Sequence, residues 1–549
     1  MNKYKKDFRV LIVYPNLPMM LAPSLAVGLF TKILKENGYK VDLFDTTHYC
    51  NESASHPETR AKFAQTRKFD SKEDLGITVR EDLLGDFRRK AIEFQPDLML
   101  LSIVEDSFPK ALDLLNSVSD LKIPNLVGGV FPTAAPDLCL QNDQINMVGL
   151  GEGEVTIIKV AEAIRLKKAL HNIPGIWYKD ENGTINKNPQ LPLVDINKVI
   201  PDYGLFEENR FNRPWGGPIF KTIPIETYRG CPFQCTYCNS PMQLTFSKDN
   251  KLGSFLRRKN ITVLRDELRF FRDLLDPEFF MFIDDSFLAR PEKEIFEFCD
   301  MYEEFKLPFF INTRPECCSA ERLKRLKEVG CYRISAAIES GHQDYRTKVL
   351  KRQGSNADIV RWFNILTGSG IPYAINLIIG FPGETREMVM DTVELVRAIN
   401  GYDTLTVSVF TPYHGTVLRE VALKNAWLDP SSVSRTHFTS SSALKMPAPY
   451  LSPNEIECLI RVMTLYCYFP KSEWENIKRA ETNDQLGNEL LEKYMEIYRT
   501  EFLGESQQQK QSFIVKGGTG CRANEKDSFR IENKKLSQNE IEMLTTIMG

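Results

Sequence analysis

"ETYRGCPFQCTYCNSP" spans Glu226–Pro241 and sets Cys231, Cys235 and Cys238 at C-x3-C-x2-C spacing. Thiolates spaced in this way can wrap one face of a metal centre. A structural zinc site closes with four ligands, and a [4Fe–4S] cluster is normally held by four cysteines. Three thiolates leave one iron open, and an open iron can bind a substrate or a cofactor. The missing fourth thiol is therefore the functional point. The competing reading is a zinc knuckle completed by a distant residue such as Cys317 or Cys331.

Outward from the cysteines, strands and helices alternate. "KTIPIETY" is a strand leading into the cysteine loop, so the first strand is taken as 222–228. Five more apolar, β-rich runs follow at 278–284, 309–315, 332–340, 373–380 and 404–410. Helical stretches such as "TVLRDELRFFRDLL" and "ETREMVMDTVELVRAI" lie between them. Six βα units predict an open, partial (β/α)6 barrel with its site at the carboxyl ends of the strands. Asp284-Asp285, Glu339, "IIGFPGET" (378–385) and "TPYHGT" (411–416) fall at those ends.

The N-terminal part has a similar rhythm. "FRVLIV" (8–13), "KVDLFD", "PDLMLLSIV", "PNLVGGV" and "INMVGLG" read as strands, with helices between and a closing helix in "EVTIIKVAEAIRLKKAL". This predicts a doubly wound, Rossmann-like parallel sheet with ligands at its carboxyl edge. The loops there are "PNLPMMLAP" (15–23), "EDSFP" (105–109), "GGVFPTAAP" (128–136) and "GLGEGE" (149–154). Their glycines either let backbone approach a ligand or simply make tight turns. Residues 171–221 read as a connector, with a hairpin turning at Asn182-Gly183.

The divisions expected are 1–170, 171–221 (linker), 222–420 (barrel), 421–505 (amphipathic helices capping the barrel) and 506–549 (a polar, loosely ordered tail).

"RGCPFQCTYC" closely resembles the radical SAM signature, with an aromatic residue before the last cysteine. Gly128-Gly129 after the fourth strand and Gly151-Glu152-Gly153-Glu154 after the fifth resemble the cobalamin domain of B12-binding radical SAM enzymes, the class that includes the class B methyltransferases. The resemblance covers roughly residues 8–420. It implies three cofactors: a [4Fe–4S] cluster, S-adenosylmethionine (SAM) and cobalamin. Cys231, Cys235 and Cys238 would hold the cluster, and SAM would chelate its open iron and give a 5′-deoxyadenosyl radical on reduction. Tyr237 would pack near the adenine and Glu339 would contact the ribose or amino group of SAM. Asp284 would reach SAM or cap the next turn. Arg314 would meet the SAM carboxylate or a neighbouring acidic side chain. Gly128, Gly129, Thr133, Gly151 and Glu152 would line the cobalamin. Asp-x-His-x-x-Gly is absent after the first strand, so cobalamin is expected without a histidine on cobalt. His48 is then a surface or loop residue. His414, where the family often has proline, is a substrate contact or a solvated loop histidine.

The resemblance implies methylation of an unactivated carbon, or of phosphorus, in a small molecule. A radical cyclase or ring-rearranging enzyme is the second reading, and a non-catalytic cobalamin sensor a third. The implied electron donor is an external flavodoxin or ferredoxin. A net charge of −3 offers no basic field for nucleic acid. There is no apolar run long enough for a membrane span. The 12 cysteines are mostly scattered, which argues against a secreted disulfide framework and for the cytoplasm.

Overall fold

A computed structural model of the chain describes residues 7–50, 56–434, 441–505 and 531–546. Two seven-stranded sheets organise it. The first contains β1 (Arg9–Tyr14), β2 (Lys40–Asp45), β3 (Leu98–Ser102), β4 (Asn125–Gly128), β5 (Met147–Gly149), β6 (Ile176–Lys179) and β7 (Ile185–Lys187), in the order β2-β1-β3-β4-β5-β6-β7. β1 to β5 are parallel. β1 and β3 are buried on both faces, which is why both read as unbroken apolar runs. The order reverses between β1 and β3, so the chain's loops splay apart there and leave a crevice at the carboxyl edge.

The hairpin expected in the connector is present, but it is no free linker element. β6 pairs antiparallel with β5 and β7 with β6, so together they form the edge of the first sheet. The rest of the connector straps the two halves. Lys35 Nζ lies 2.8 Å from Asp202 Oδ2, the Tyr203 hydroxyl donates to Pro224 O at 3.0 Å, and Arg210 Nε donates to Asp45 Oδ2 at 2.7 Å.

The second sheet contains β8 (Asn212–Pro214), β9 (Ile219–Ile225), β12 (Phe279–Phe282), β13 (Phe309–Thr313), β14 (Cys331–Glu339), β15 (Tyr373–Ile379) and β16 (Thr404–Val409). A two-stranded ribbon, β10 (Tyr228–Arg229) with β11 (Arg257–Arg258), lies beside it. The six strands from β9 to β16 are parallel and form the expected half barrel. β8 adds an antiparallel edge strand that a three-residue run does not announce in sequence.

An open half barrel leaves an unpaired edge at β16. Helix His56–Lys62 and the segment after it cover it: Gln65 Oε1 accepts from Val407 N at 3.0 Å, and Arg60 Nη2 donates to Ser408 Oγ at 3.1 Å. Helix Pro453–Tyr468 packs on β16 and on helix Arg386–Arg397. Part of the expected tail lies outside the described residues. Residues 531–546 are placed firmly against the barrel: Asn356 Nδ2 donates to Ile531 O at 2.7 Å, and Leu544 packs against Gly383. Among the described residues no helix is long and apolar enough to cross a membrane.

Candidate active site between the two sheets

The carboxyl edges of the two sheets face one another. In the first, a cavity of about 390 Å³ is bounded by the ends of β3, β4 and β5 and by the start of helix Leu25–Glu36. Its wall includes Gly128, Gly129, Gly149, Gly151 and Gly153, so backbone forms part of its surface. Gly129 has φ +125°, and a Cβ there would stand 2.1 Å from Ile103 O. A Cβ on Gly153 would stand 2.7 Å from the Phe30 ring. No other residue fits this cradle without displacing it. Thr133 ties the two glycine loops together. Its hydroxyl donates to Gly129 O at 2.8 Å and accepts from Gly151 N at 2.9 Å.

The same cavity is closed on its far side by Glu226, Arg229 and Gln243 of the barrel half. Glu152 does not point into it as a free ligand group. It bridges the halves: Oε1 accepts from Arg229 Nη1 at 3.0 Å, and Oε2 accepts from Arg257 Nη1 at 2.9 Å and from Val194 N at 2.7 Å. Burial opposes ionisation of Glu152, but the bonds from Arg257 and the charge of Arg229 hold its carboxyl below the usual range. Arg229 also bonds Glu154 and Glu226. It stands two residues before Cys231.

The cysteine loop follows β9. The Cys238 N–H donates to Cys235 O at 3.2 Å, which folds the last two cysteines into a turn. Helix Asn239–Asp249 starts directly after, and Ser240 N lies 3.5 Å from Cys238 Sγ. Arg314 Nη1 lies 3.5 Å from Cys235 Sγ, with its guanidinium 3.7 Å from the Phe233 ring centroid and paired to Glu316. Burial pushes the Cys231 thiol up to about 11, so a bound metal would be needed to keep it ionised. Among the described residues no three His, Cys, Asp or Glu side chains are drawn together tightly enough for one metal ion. A multi-iron cluster spreads its thiolates over separate irons, and the basic Arg314 suits anionic sulfur. The donor set therefore fits a cluster.

Glu339 ends β14 in the left-handed region, at φ +66°. Its buried carboxylate accepts from the Tyr237 hydroxyl at 3.0 Å and lies 3.4 Å from Arg352 Nη1. The Tyr237 ring meets Phe381 of "IIGFPGET" edge-on at 5.7 Å. Tyr237, Glu339 and the cysteine loop thus form one wall. Asp284 is buried beside the strand that leads into the cysteine loop. It accepts from Thr227 N at 2.8 Å and Tyr228 N at 3.1 Å and pairs with Arg290, so its carboxylate fastens the strand leading into the cysteine loop.

Both histidines differ from expectation in burial. His48 is a loop residue but is buried, with Nδ1 3.4 Å from Glu207 Oε2 of the connector, and it does not line the glycine cavity. His414 is not solvated. Its N–H donates to Glu105 Oε2 at 2.8 Å, and its ring packs against Phe131 at 5.3 Å. The neighbouring Tyr413 hydroxyl donates to Asp106 Oδ2 at 2.7 Å. The "EDSFP" and "TPYHGT" loops therefore lock the two sheets together on this side. Only the tertiary contact reveals this, since the partners lie about 300 residues apart.

Comparison with known proteins agrees with this geometry. The radical SAM superfamily model matches residues 225–396, and the B12 binding domain model matches residues 59–161. An uncharacterised methyltransferase of Pyrococcus horikoshii is 26% identical over 392 residues, covering 67% of this chain and 81% of its own. Cytidylyl-2-hydroxyethylphosphonate methyltransferase of Streptomyces wedmorensis is 22% identical, covering 76% and 80%. The solved structure of the cobalamin-dependent SAM radical enzyme OxsB, with aqua-cobalamin and SAM bound, superposes with a TM-score of 0.61 at 15% identity, over 91% of this chain and 72% of that one. With a B12-binding sheet and a radical SAM half barrel facing each other in one chain, the protein belongs to the B12-binding radical SAM enzymes, whose cofactors are a [4Fe–4S] cluster, SAM and cobalamin.

Proposed function

We propose that the enzyme methylates an unactivated carbon, or a phosphorus, of a small molecule. The observation that carries this reading is the shared cavity wall. The glycine loops of the first sheet and the residues leading into the cysteine loop, Glu226 and Arg229, line one space. When bound, the cluster and SAM supply a hydrogen-abstracting radical, and cobalamin carries the methyl group. A reactive carbon made at one cofactor must meet the other before solvent quenches it, and the facing arrangement suits that need.

In this reading Cys231, Cys235 and Cys238 hold the cluster. Arg314 neutralises the thiolate of Cys235. Glu339 and Tyr237 position SAM, with Arg352 orienting the Glu339 carboxylate. Gly128, Gly129 and Gly151 give cobalamin a backbone surface, and Thr133 and Glu152 hold those loops in place rather than touch the ligand. Asp284 acts on the cysteine loop through Thr227 and Tyr228. The division of the chain at about 170, 221, 420 and 505 is retained, with the β6–β7 hairpin moved to the first domain. An external flavodoxin- or ferredoxin-type reductant and a cytoplasmic setting complete the reading. The methyltransferase names of the two sequence relatives support it over a cyclase.

The test is product analysis after anaerobic incubation of reconstituted enzyme with SAM and candidate substrates. S-adenosylhomocysteine formed together with 5′-deoxyadenosine and a product 14 mass units heavier is expected (about one CH₂, by stoichiometry). 5′-Deoxyadenosine alone, with a product of unchanged methyl content, would replace the proposal with a cyclase.

A further inference from the structure

A second cavity, of about 320 Å³, lies inside the half barrel toward the amino-terminal ends of its strands. Its lining contains five basic residues, Arg60, Arg67, Lys68, Arg213 and Arg333, and no acidic one. The imbalance gives the cavity a positive character that an anion would offset. One of the five is neutralised from behind: Arg333 forms a two-pronged pair with Asp403. Two others spend part of their donors on the protein. Arg60 bonds Gln65 and Ser408, and Arg67 Nε donates to Leu503 O at 2.8 Å.

Two guanidiniums keep donors to spare, although the charges of Asp403 and Glu505 act on Arg67. Arg67 Nη1 is buried with no hydrogen-bond partner. Arg213 has neither a hydrogen bond nor an ion pair among the described residues; it only stacks on Trp215, 4.8 Å from the ring centroid. Burial and the nearby Arg210 push Arg213 down to about 10. The two guanidiniums arrive from opposite parts of the chain. Arg67 comes from the segment that seals β16, and Arg213 from β8. Planar guanidiniums with free forks match the geometry of phosphate and carboxylate.

We propose that this cavity binds the oxyanion, phosphate or carboxylate, of an elongated substrate whose other end reaches the cluster. Arg67 and Arg213 are its ligands. Strand β14 runs from this cavity to Glu339. Ser335 and Asn376, bonded to each other at 2.7 Å, and Thr406 form a polar surface along it. Arg333 and Glu339 are six residues apart on β14, about 20 Å of strand. The anion and the reacting atom then stand on the order of 10–20 Å apart. The proposal names the substrate class for the methylation proposed above and rests on that reading for its meaning, although not for the binding itself.

The test uses the full-length, anaerobically reconstituted protein. Binding of inorganic pyrophosphate, phosphate and succinate is measured by isothermal titration calorimetry at constant ionic strength. Saturable binding of at least one probe is expected. It should weaken about tenfold or more in Arg213→Gln and in Arg67→Gln, the loss of one charge-assisted contact. The exposed Arg89→Gln control should bind like the wild type. Phosphate probes binding without succinate would assign a phosphorylated substrate, and the reverse a carboxylate. No saturable binding, or equal binding by wild type and both variants, overturns the proposal. Should Arg213→Gln misfold, Arg67→Gln decides alone, with Arg213→Lys expected to retain part of the affinity. Iron and cobalamin contents are read on the same samples. Arginine-dependent anion binding by protein that takes up neither cofactor would sink the methyltransferase reading and leave the anion site standing.

Discussion

Glu152 and Arg229 lie 3.0 Å apart, joining the glycine loop of the cobalamin half to the residue two places before the first cysteine. Both side chains are largely buried, at 16% and 19% exposure, so the pair is only weakly screened by solvent. Arg229 gathers Glu226, Glu154 and Glu152 around one guanidinium, and Arg257 takes the second face of Glu152. The clasp fixes the distance between two cofactor sites.

Glu152→Gln should therefore cost about 1–3 kcal/mol in chemical denaturation, since Arg229 keeps two other carboxylates. The depressed carboxyl of Glu152 sets the sign with pH. Its stabilisation is complete above the ordinary value of 4.5 and disappears as the pH falls through the lower folded value. The difference between wild type and variant should shrink below about pH 4. Equal denaturation profiles at pH 7 would show that the clasp is not coupled to folding.

Gly129→Ala should abolish cobalamin binding by the full-length protein. The new methyl group would need the space of Ile103 O at a φ of +125°, a cost of about 2–4 kcal/mol to the loop. In the wild type the cob(II)alamin form should show no nitrogen coupling from a protein histidine in electron paramagnetic resonance, because among the described residues no histidine lines the cavity. A histidine signal would overturn the assignment of this cavity.

Replacement of Cys231, Cys235 and Cys238 by Ala together should remove nearly all iron and sulfide from reconstituted protein, with circular dichroism unchanged. The cysteines sit on a loop outside the strands, so the sheet does not depend on them. Iron content that survives the triple change would relocate the cluster.

Glu384 offers a pH test in the barrel half. Burial pushes its carboxyl up to about 8, against the opposing bonds from Gly380 N and Phe381 N. A raised carboxylate costs stability as the pH climbs from 4.5, where the unfolded chain ionises, to about 8, where the folded one does. Glu384→Gln keeps an acceptor for both N–H groups and removes that penalty. Its stability relative to the wild type should grow between pH 5 and 8, by about 2–4 kcal/mol at the upper end. A constant difference across that range would mean Glu384 is ionised throughout.

Much of this architecture was readable in one dimension. Most of the barrel strands and of the parallel strands of the first sheet read as apolar, β-rich runs, because parallel strands covered on both faces are mostly apolar along their length. The cysteines are legible for another reason: three metal ligands on one short loop need only local spacing. Gly128, Gly129 and Gly151 are equally local, since the carboxyl end of a strand fixes where a backbone cradle must fall. What sequence could not supply was partner choice. Glu152 stands in a loop that suggests a ligand, but its carboxylate goes to Arg229 and Arg257, 77 and 105 residues away. Asp284 accepts from the backbone N–H groups of residues 227 and 228, His48 is buried against the connector, and His414 is partly covered by a loop about 300 residues away. Arg60, Arg67 and Arg213 carry no motif at all. A charge in a polar stretch reads as solvated, and only the closing of the half barrel by residues 56–69 and by β8 brings these three, partly buried, to one cavity. Local spacing determines which residues can hold a metal or approach a cofactor, whereas long-range packing decides which charges are neutralised and which are left to meet a substrate.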